Sequence, residues 1–398
     1  MKTGIYTLTS ELHDESAVQA VTEEFLSGLG IEYDFKGADY TDFGAYALNL
    51  IFVRTGGTEG IFKKLLPQLE SRYGRPYYLL TSGKSNSLAA SMEILSYLNQ
   101  QGIKGEIIHG DNKYVHDRIE SLCAVNNAVS ELRGHHLGII GEPSDWLISS
   151  TYDNNSVINR LGIQLVKIDM QELLSEIEKQ EEPQCEETSD NAAVMRSLPG
   201  ALRIYNALRR LVDTYQLDGL TIRCFDLLTA VKNTGCLALA KLNSEGIVGG
   251  CEGDLPTMLT MQILQSLTGK TGFQANPSQI NPETGEMLFA HCTIPFNMVE
   301  RYEYDTHFES GIGVGIHGEM PLGGVTIFKV SGDLSRCFVE EGTLVSNQKK
   351  SDLCRSQIVV KLDDPSKTSY FLTHPIGNHH VIINGRYKRL IEDFFATI

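Results

Sequence analysis

The chain has 398 residues, 41% of them hydrophobic, and a formal charge of −16. That length exceeds one ordinary core, so two or three domains are expected. The charge opposes binding to nucleic acid or to an anionic membrane, both of which need a basic surface. No apolar run approaches the roughly 20 residues that cross a bilayer. The opening stretch MKTGIYTLTSELHDES lacks the apolar core of a signal peptide. The eight cysteines form no C-x-x-C pair. Cys224, Cys251 and Cys292 lie in apolar runs, which suits reduced, buried thiols in a cytoplasm better than a disulfide frame.

Residues 1–134 alternate between strand and helix patterns. Ser16 to Leu29 reads as a helix, and Leu48 to Val53 as a buried strand. Pro76 to Thr81 is a second strand, Leu88 to Gln100 a helix, and Glu106 to Gly110 a third strand. This is a doubly wound, Rossmann-like pattern without nucleotide chemistry. Gly83-Lys84-Ser85 resembles the end of a phosphate-binding loop, but Tyr78 stands where that loop needs glycine. A second α/β domain starts near residue 135. His135 and His136 are adjacent on a strand pattern and so point to opposite faces. Strands at Leu137 to Ile140 and Gln164 to Ile168 and a helix at Gln171 to Lys179 follow. Residues 180–190, QEEPQCEETSD, read as an exposed, mobile loop. Ala192 to Tyr215 is helical, with a break expected at Pro199-Gly200.

The stretch from Phe225 to Asp254 carries the chemistry. Leu220, Ile222 and Cys224 alternate with polar residues and predict a strand ending at Phe225-Asp226. Gly235 to Glu245 follows as a helix with Thr234 as N-cap and Gly246 as its stop. Ile247 to Cys251 then reads as a buried strand running into Glu252-Gly253-Asp254. Such a unit is a right-handed crossover between parallel strands, whose C-terminal ends face ligands. Asp226 and Glu252 are therefore expected at neighbouring strand ends. Two carboxylates placed there repel unless a cation lies between them, and a divalent cation with oxygen ligands answers this simply. The plainer reading makes Asp226 a helix cap and Glu252 part of a solvated turn. Spacing alone leaves both open.

Residues 263–398 change character. A helix over Thr257 to Leu267 precedes strand patterns at Met287 to Ile294, Gly311 to Gly315, Gly324 to Val330, Gly342 to Val345 and Gln357 to Leu362. Gly377 to Ile383 and a closing helix from Arg386 to Phe395 end the series. Glycine and polar turns between short runs predict an antiparallel barrel or sandwich. The expected architecture is two Rossmann-like α/β domains, 1–134 and 135–262, followed by a β-rich, barrel-like domain, 263–398.

Phe225-Asp226-Leu227-Leu228, the glycine-led helix, and Gly246-x-x-Gly249-Gly250-x-Glu252-Gly253-Asp254 together resemble a motif of the L-arabinose and L-fucose isomerase family. Asn378-His379-His380 resembles a second segment of that family. The resemblance covers about residues 219–260 and the surroundings of His379. It implies aldose–ketose isomerisation through an enediolate, with a divalent metal such as Mn²⁺ held by Asp226, Glu252 and His380. It implies catalytic roles for Asp226 and Glu252, with Asp254 orienting Glu252. His291, Asn378 and His379 fall where a sugar would be touched, and His291 stands open between substrate, metal and structure. The arabinose isomerases have a further ligand histidine about one helix after the glutamate, and here TGKTGFQANPSQ has none. The family also implies a cytoplasmic homo-oligomer, trimer or hexamer, whose sites borrow residues from neighbouring subunits. An isomerase of a modified sugar such as sulfoquinovose fits the same pattern. A sugar-binding or regulatory protein that kept the fold is the rival from another class.

Overall fold

The computed structural model describes residues 3–70, 75–181, 183–184 and 187–398. Contacts group them into two compact units, 1–130 with 389–398, and 131–388. We propose residues 134 and 262 as borders between architectural layers; the compact units themselves divide elsewhere.

The first unit is built on five parallel strands: β1 Thr3–Leu8, β2 Tyr33–Gly37, β3 Leu48–Val53, β4 Tyr77–Leu80 and β5 Gly105–Ile108. Their order in the sheet is β2-β1-β3-β4-β5. Strand periodicity sorts the side chains into two cores. Leu48, Leu50 and Phe52 of β3 pack with Leu26, Leu29, Val115 and Ile119 of the helices Glu15–Leu29 and Asn112–Leu132. Ile51 and Val53 point the other way, onto Phe62, Leu66, Ala90 and Ile94 of the helices Glu59–Glu70 and Ser87–Gln100. A strand apolar on both faces therefore becomes the middle of a doubly wound layer. The helix Lys388–Thr397 belongs from Arg389 onward to this unit. Its Asp393 meets Arg118, which also pairs with Glu106.

The second unit opens with a parallel sheet of β6 His136–Ile140, β7 Gln164–Ile168, β8 Gly219–Ile222 and β9 Val248–Gly250, ordered β7-β6-β8-β9. The helix Ala192–Tyr215 runs unbroken through Pro199. Its buried face includes Val194, Leu198, Ala201 and Leu202, packed in the core on either side of the proline. Gly200 admits the Asn233 amide, which donates to Ser197 O at 2.8 Å. Of the stretch 180–190, residues 182, 185 and 186 lie outside the described residues, and Glu181, Gln184, Thr188 and Asp190 are exposed.

Six antiparallel strands then close a barrel: β10 Phe273–Asn281, β11 Glu286–His291, β14 Gly323–Val330, β15 Cys337–Gln348, β16 Ser356–Leu362 and β17 His380–Asn384. The order around it is β10-β11-β16-β15-β14-β17. A separate pair, β12 Arg301–Asp305 and β13 Gly315–Glu319, replaces the strand expected at Gly311 to Gly315; only Gly315 belongs to it. Val194, Leu198, Leu237 and Ala240 share one core with Phe273, Phe289, Ile327 and Ile358 of the barrel, which is why sheet and barrel form a single unit. Closure depends on β17. It pairs Ile382 with Ile327 of β14 on one side and with Phe273 of β10 on the other, and it sets His380 opposite Ala275.

Arg118 is 4% exposed and holds two carboxylates, so losing it leaves both facing each other in a partly closed space. Arg118→Met should lower stability by roughly 3 kcal/mol, the scale for removing one partner of a buried ion pair. Urea unfolding read at the tyrosines of the first unit measures this, and Asp393→Asn should cost less because Glu106 still answers the guanidinium.

Candidate metal centre

Glu252 stands two residues past β9, at the C-terminal edge of the parallel sheet. Its φ is +66° and that of Gly253 is +69°. Two successive left-handed residues turn the chain sharply into the helix Leu255–Thr268. Gly253 N donates to Ile222 O at 2.8 Å and Ser144 N to Glu252 O at 2.9 Å, so the turn is fastened to the end of β8 and to the loop after β6. A β-carbon on Gly253 would stand 2.8 Å from Glu142 O and 2.9 Å from Pro143 Cα, which leaves glycine as the residue that fits. Asp254 caps the helix, its Oδ1 accepting from Thr257 N at 2.9 Å.

Two barrel elements meet this turn. His291 ends β11, and His379 immediately precedes β17. Glu252 Oε1 lies 3.6 Å from His379 Nε2 and 3.9 Å from His291 Nε2. The other nitrogen of each ring is engaged: His379 Nδ1 with Asp254 Oδ2 at 2.8 Å, and His291 Nδ1 with Thr293 Oγ1 at 3.0 Å. Glu252 Oε2 accepts from Trp146 Nε1 at 2.6 Å. One ligand atom from each of Glu252, His291 and His379 falls within 4.8 Å of the others.

Electrostatics set these groups apart. Burial works to raise the Glu252 carboxyl, but the charge of His379, with His291 and the Trp146 hydrogen bond beyond, holds it down at about 2. Burial likewise opposes a charge on His379, and Glu252 and Asp254 outweigh it, raising the ring to about 9. His291 is pulled down to about 3 by burial and then by the charge of His379. His379 Nε2 is buried without a hydrogen-bond partner. One carboxylate oxygen and two Nε2 atoms, each ring tied through its Nδ1, form a donor set that fits a divalent cation of the Mn²⁺, Co²⁺ or Zn²⁺ kind.

The remaining residues read from the sequence lie elsewhere. Asp226 is not at a strand end: β8 stops at Ile222, and Asp226 occupies the first turn of the helix Cys224–Val231. Its Oδ2 pairs with Arg223 Nε at 2.9 Å, and the side chain is 52% exposed. The strand-like alternation carried on to Cys224 because Cys224 and Leu227 are the buried face of that helix. His380 points away from Glu252. Its Nε2 meets Tyr370 Oη at 3.1 Å, its Nδ1 meets Asn378 O at 3.1 Å, and the Phe371 ring packs 4.7 Å away. Burial, and then the nearby Lys329 charge, bring that ring down to about 3. Asn378 is exposed and bonds to Asn276. Asp254 orients His379 and not Glu252.

Sequence reasoning missed Trp146 and Lys329. The signal for the tryptophan was its place just beyond β6, at the ligand-facing edge of a parallel sheet. Phe225 packs edge-on to it with ring centres 4.8 Å apart, which brings the helix bearing Asp226 against the site.

No protein-family model matches the chain. It is similar to the sulfoquinovose isomerase of Alkalicoccus urumqiensis, 24% identical over 238 residues, or 55% of this chain and 53% of the relative. The sulfoquinovose isomerase of Priestia aryabhattai is 23% identical over 237 residues, 56% and 53% of the two chains. That of Clostridium sp. (strain MSTE9) is 25% identical over 180 residues, 43% and 39%. The matched stretch thus spans about half the length of these curated relatives.

Gly253→Ala tests the turn. The added methyl must displace the Glu142–Pro143 backbone or flatten the left-handed turn, at a cost of about 1–3 kcal/mol for a residue held in such a conformation. Thermal unfolding should show the loss, and indole fluorescence of Trp146, the single tryptophan, should shift as Glu252 moves.

Proposed function

We propose that this protein is a metal-dependent aldose–ketose isomerase acting on a modified sugar, with sulfoquinovose the first substrate to try. The convergence of Glu252, His291 and His379 on one point carries the reading, because a sugar binder has no need of a carboxylate set between two buried imidazoles. The names of the relatives support the substrate. A divalent cation, when bound by these three residues, supplies Lewis-acid polarisation of the sugar carbonyl and its neighbouring hydroxyl.

The chain's own residues supply the rest. Asp254 keeps a proton of His379 on Nδ1, so Nε2, which faces Glu252, is the nitrogen that would give up its proton to a bound cation. Trp146 holds the second oxygen of Glu252, so one oxygen remains for a ligand. Isomerisation takes a proton from one carbon and returns it to the next, which needs a carboxylate beside the sugar. Asp226 is the proposed proton carrier: it is half exposed and rides on the helix whose Phe225 packs against Trp146. Leaving Arg223 Nε frees Oδ2 to receive the proton. Asn378, exposed on the turn before His379, is proposed to touch a sugar hydroxyl. His380 is proposed to serve packing, and the resemblance to the arabinose isomerases supports assembly as a trimer or hexamer.

A Mn²⁺-supplemented screen of pentoses, hexoses, 6-deoxyhexoses and sulfoquinovose tests the activity, and a silent panel with metal-loaded protein would sink it. Asp226→Asn should reduce turnover about 100-fold, within the usual range of acid–base catalysis. In D₂O the product should take up deuterium at C1 or C2, and full retention of the substrate proton would point to hydride transfer instead.

Metal analysis separates the histidines. His379→Gln should weaken Mn²⁺ binding by about 100-fold or more, since loss of even an outer partner of a ligand costs ten- to a hundredfold. His380→Gln should leave that affinity nearly unchanged and lower thermal stability. The reverse pattern would move the metal to the other histidine.

A further inference from the structure

Lys329 is a lysine where a barrel calls for an aliphatic residue. It lies near the end of β14, and the two-residue repeat places it on the same face as Val325 and Ile327, both in the apolar core. Its side chain is 1% exposed. A buried ammonium is costly without partners. Lys329 Nζ donates to Thr257 Oγ1 at 2.5 Å and stands 3.5 Å from Asp254 Oδ1. Asp254 is itself fully buried and turns its other oxygen to His379 Nδ1 at 2.8 Å. The four groups form one line from the barrel wall to the metal-facing nitrogen: Lys329, Asp254, His379 and then Glu252.

We propose that Lys329 is a positioning residue, which clamps Oδ1 of Asp254 so that Oδ2 holds the Nδ1–H of His379 and Nε2 faces Glu252. This deepens the metal-site reading and rests on it. Asp254 has two demands on Oδ1, Thr257 N and the ammonium, and they act from opposite elements. The helix amide alone leaves the carboxylate free to pivot about that contact. The ammonium, carried by β14, removes the pivot and ties the helix cap to the barrel. An aliphatic residue at 329 would fill the core equally well, so packing does not explain the lysine.

The test uses metal-free, ¹⁵N-histidine-labelled full-length protein and the variant Lys329→Met. The signal of the His379 Nδ1–H, assigned by its loss in His379→Gln, is followed by NMR, and Mn²⁺ binding by calorimetry. The proposal expects that signal to move upfield or broaden by exchange with water. It also expects Mn²⁺ affinity to fall ten- to a hundredfold, the effect of losing an outer partner of a ligating histidine. An unchanged N–H signal overturns it, whatever the affinity does, because a merely structural lysine would leave that bond intact. If Lys329→Met gives no folded protein by circular dichroism, Lys329→Gln, which keeps a donor but no charge, is read in the same way. Wild-type protein that binds no Mn²⁺ would remove the metal reading, while the N–H comparison still decides the role of Lys329.

Discussion

The hydrogen bond between His379 Nδ1 and Asp254 Oδ2, 2.8 Å long and fully buried at both ends, joins two folding plans. Asp254 caps the helix that leaves the parallel sheet; His379 is the residue just before the strand that closes the barrel. Neither end tolerates being alone. A carboxylate with no access to water requires donors, and it finds three, in His379, the Thr257 amide and Lys329. A buried imidazole requires an acceptor for its proton. Because each satisfies the other, the end of β17 has a fixed place relative to the sheet edge, and the ring's second nitrogen has a fixed direction. His291 arrives from β11, on the other side of β10 from β17, already tied to Thr293, so its Nε2 stands ready as a candidate ligand atom.

Glu252 shows what that arrangement costs locally. A side chain other than glycine in the left-handed region costs about 1–2 kcal/mol. Extended backbone would continue β9 past the end of the sheet and carry the carboxylate away from both histidines. The left-handed pair Glu252-Gly253 instead folds it back over the strand ends. Hydrogen bonds from Gly253 N to Ile222 O and from Ser144 N to Glu252 O keep it there. Strain and a partly buried carboxylate in this turn meet an unpartnered imidazole nitrogen of His379, a combination that a purely structural turn would have shed.

Much of this fold was legible from the chain. Leu48–Val53 has the expected bounds, because a strand buried along its whole length leaves little room for another reading, and Gln164–Ile168 also has them, although Gln164 and Lys167 are exposed. The parallel layers and the antiparallel barrel follow from how the strands are spaced. What misled was local geometry. Cys224 completes a strand alternation and also opens a helix, and nothing in Leu220-Thr221-Ile222-Arg223-Cys224 marks where period two gives way to 3.6. That single ambiguity put Asp226 at a strand end. Between His379 and His380 the choice turns on which residue begins β17, since neighbours on an extended chain face opposite ways. One step of register exchanges a candidate ligand atom for a packed ring. The glutamate was visible because its glycines were visible. Trp146, Lys329 and Thr293 were not, since a lone tryptophan in a loop and a lone lysine in a strand gain meaning only from what lies across from them.

The pairing of Arg118 with Asp393 has a consequence in time. The two residues are 275 apart in sequence. At a synthesis rate of about 5–20 residues per second, roughly 15–60 s separate their appearance on the ribosome. Throughout that interval the first layer has its five strands but lacks the helix that answers Arg118 and lies beside Tyr78. The whole second unit is synthesised while the first waits for its closing piece. A nascent chain of this kind displays a half-neutralised arginine and an uncovered Tyr78 on β4 for longer than most small domains take to fold.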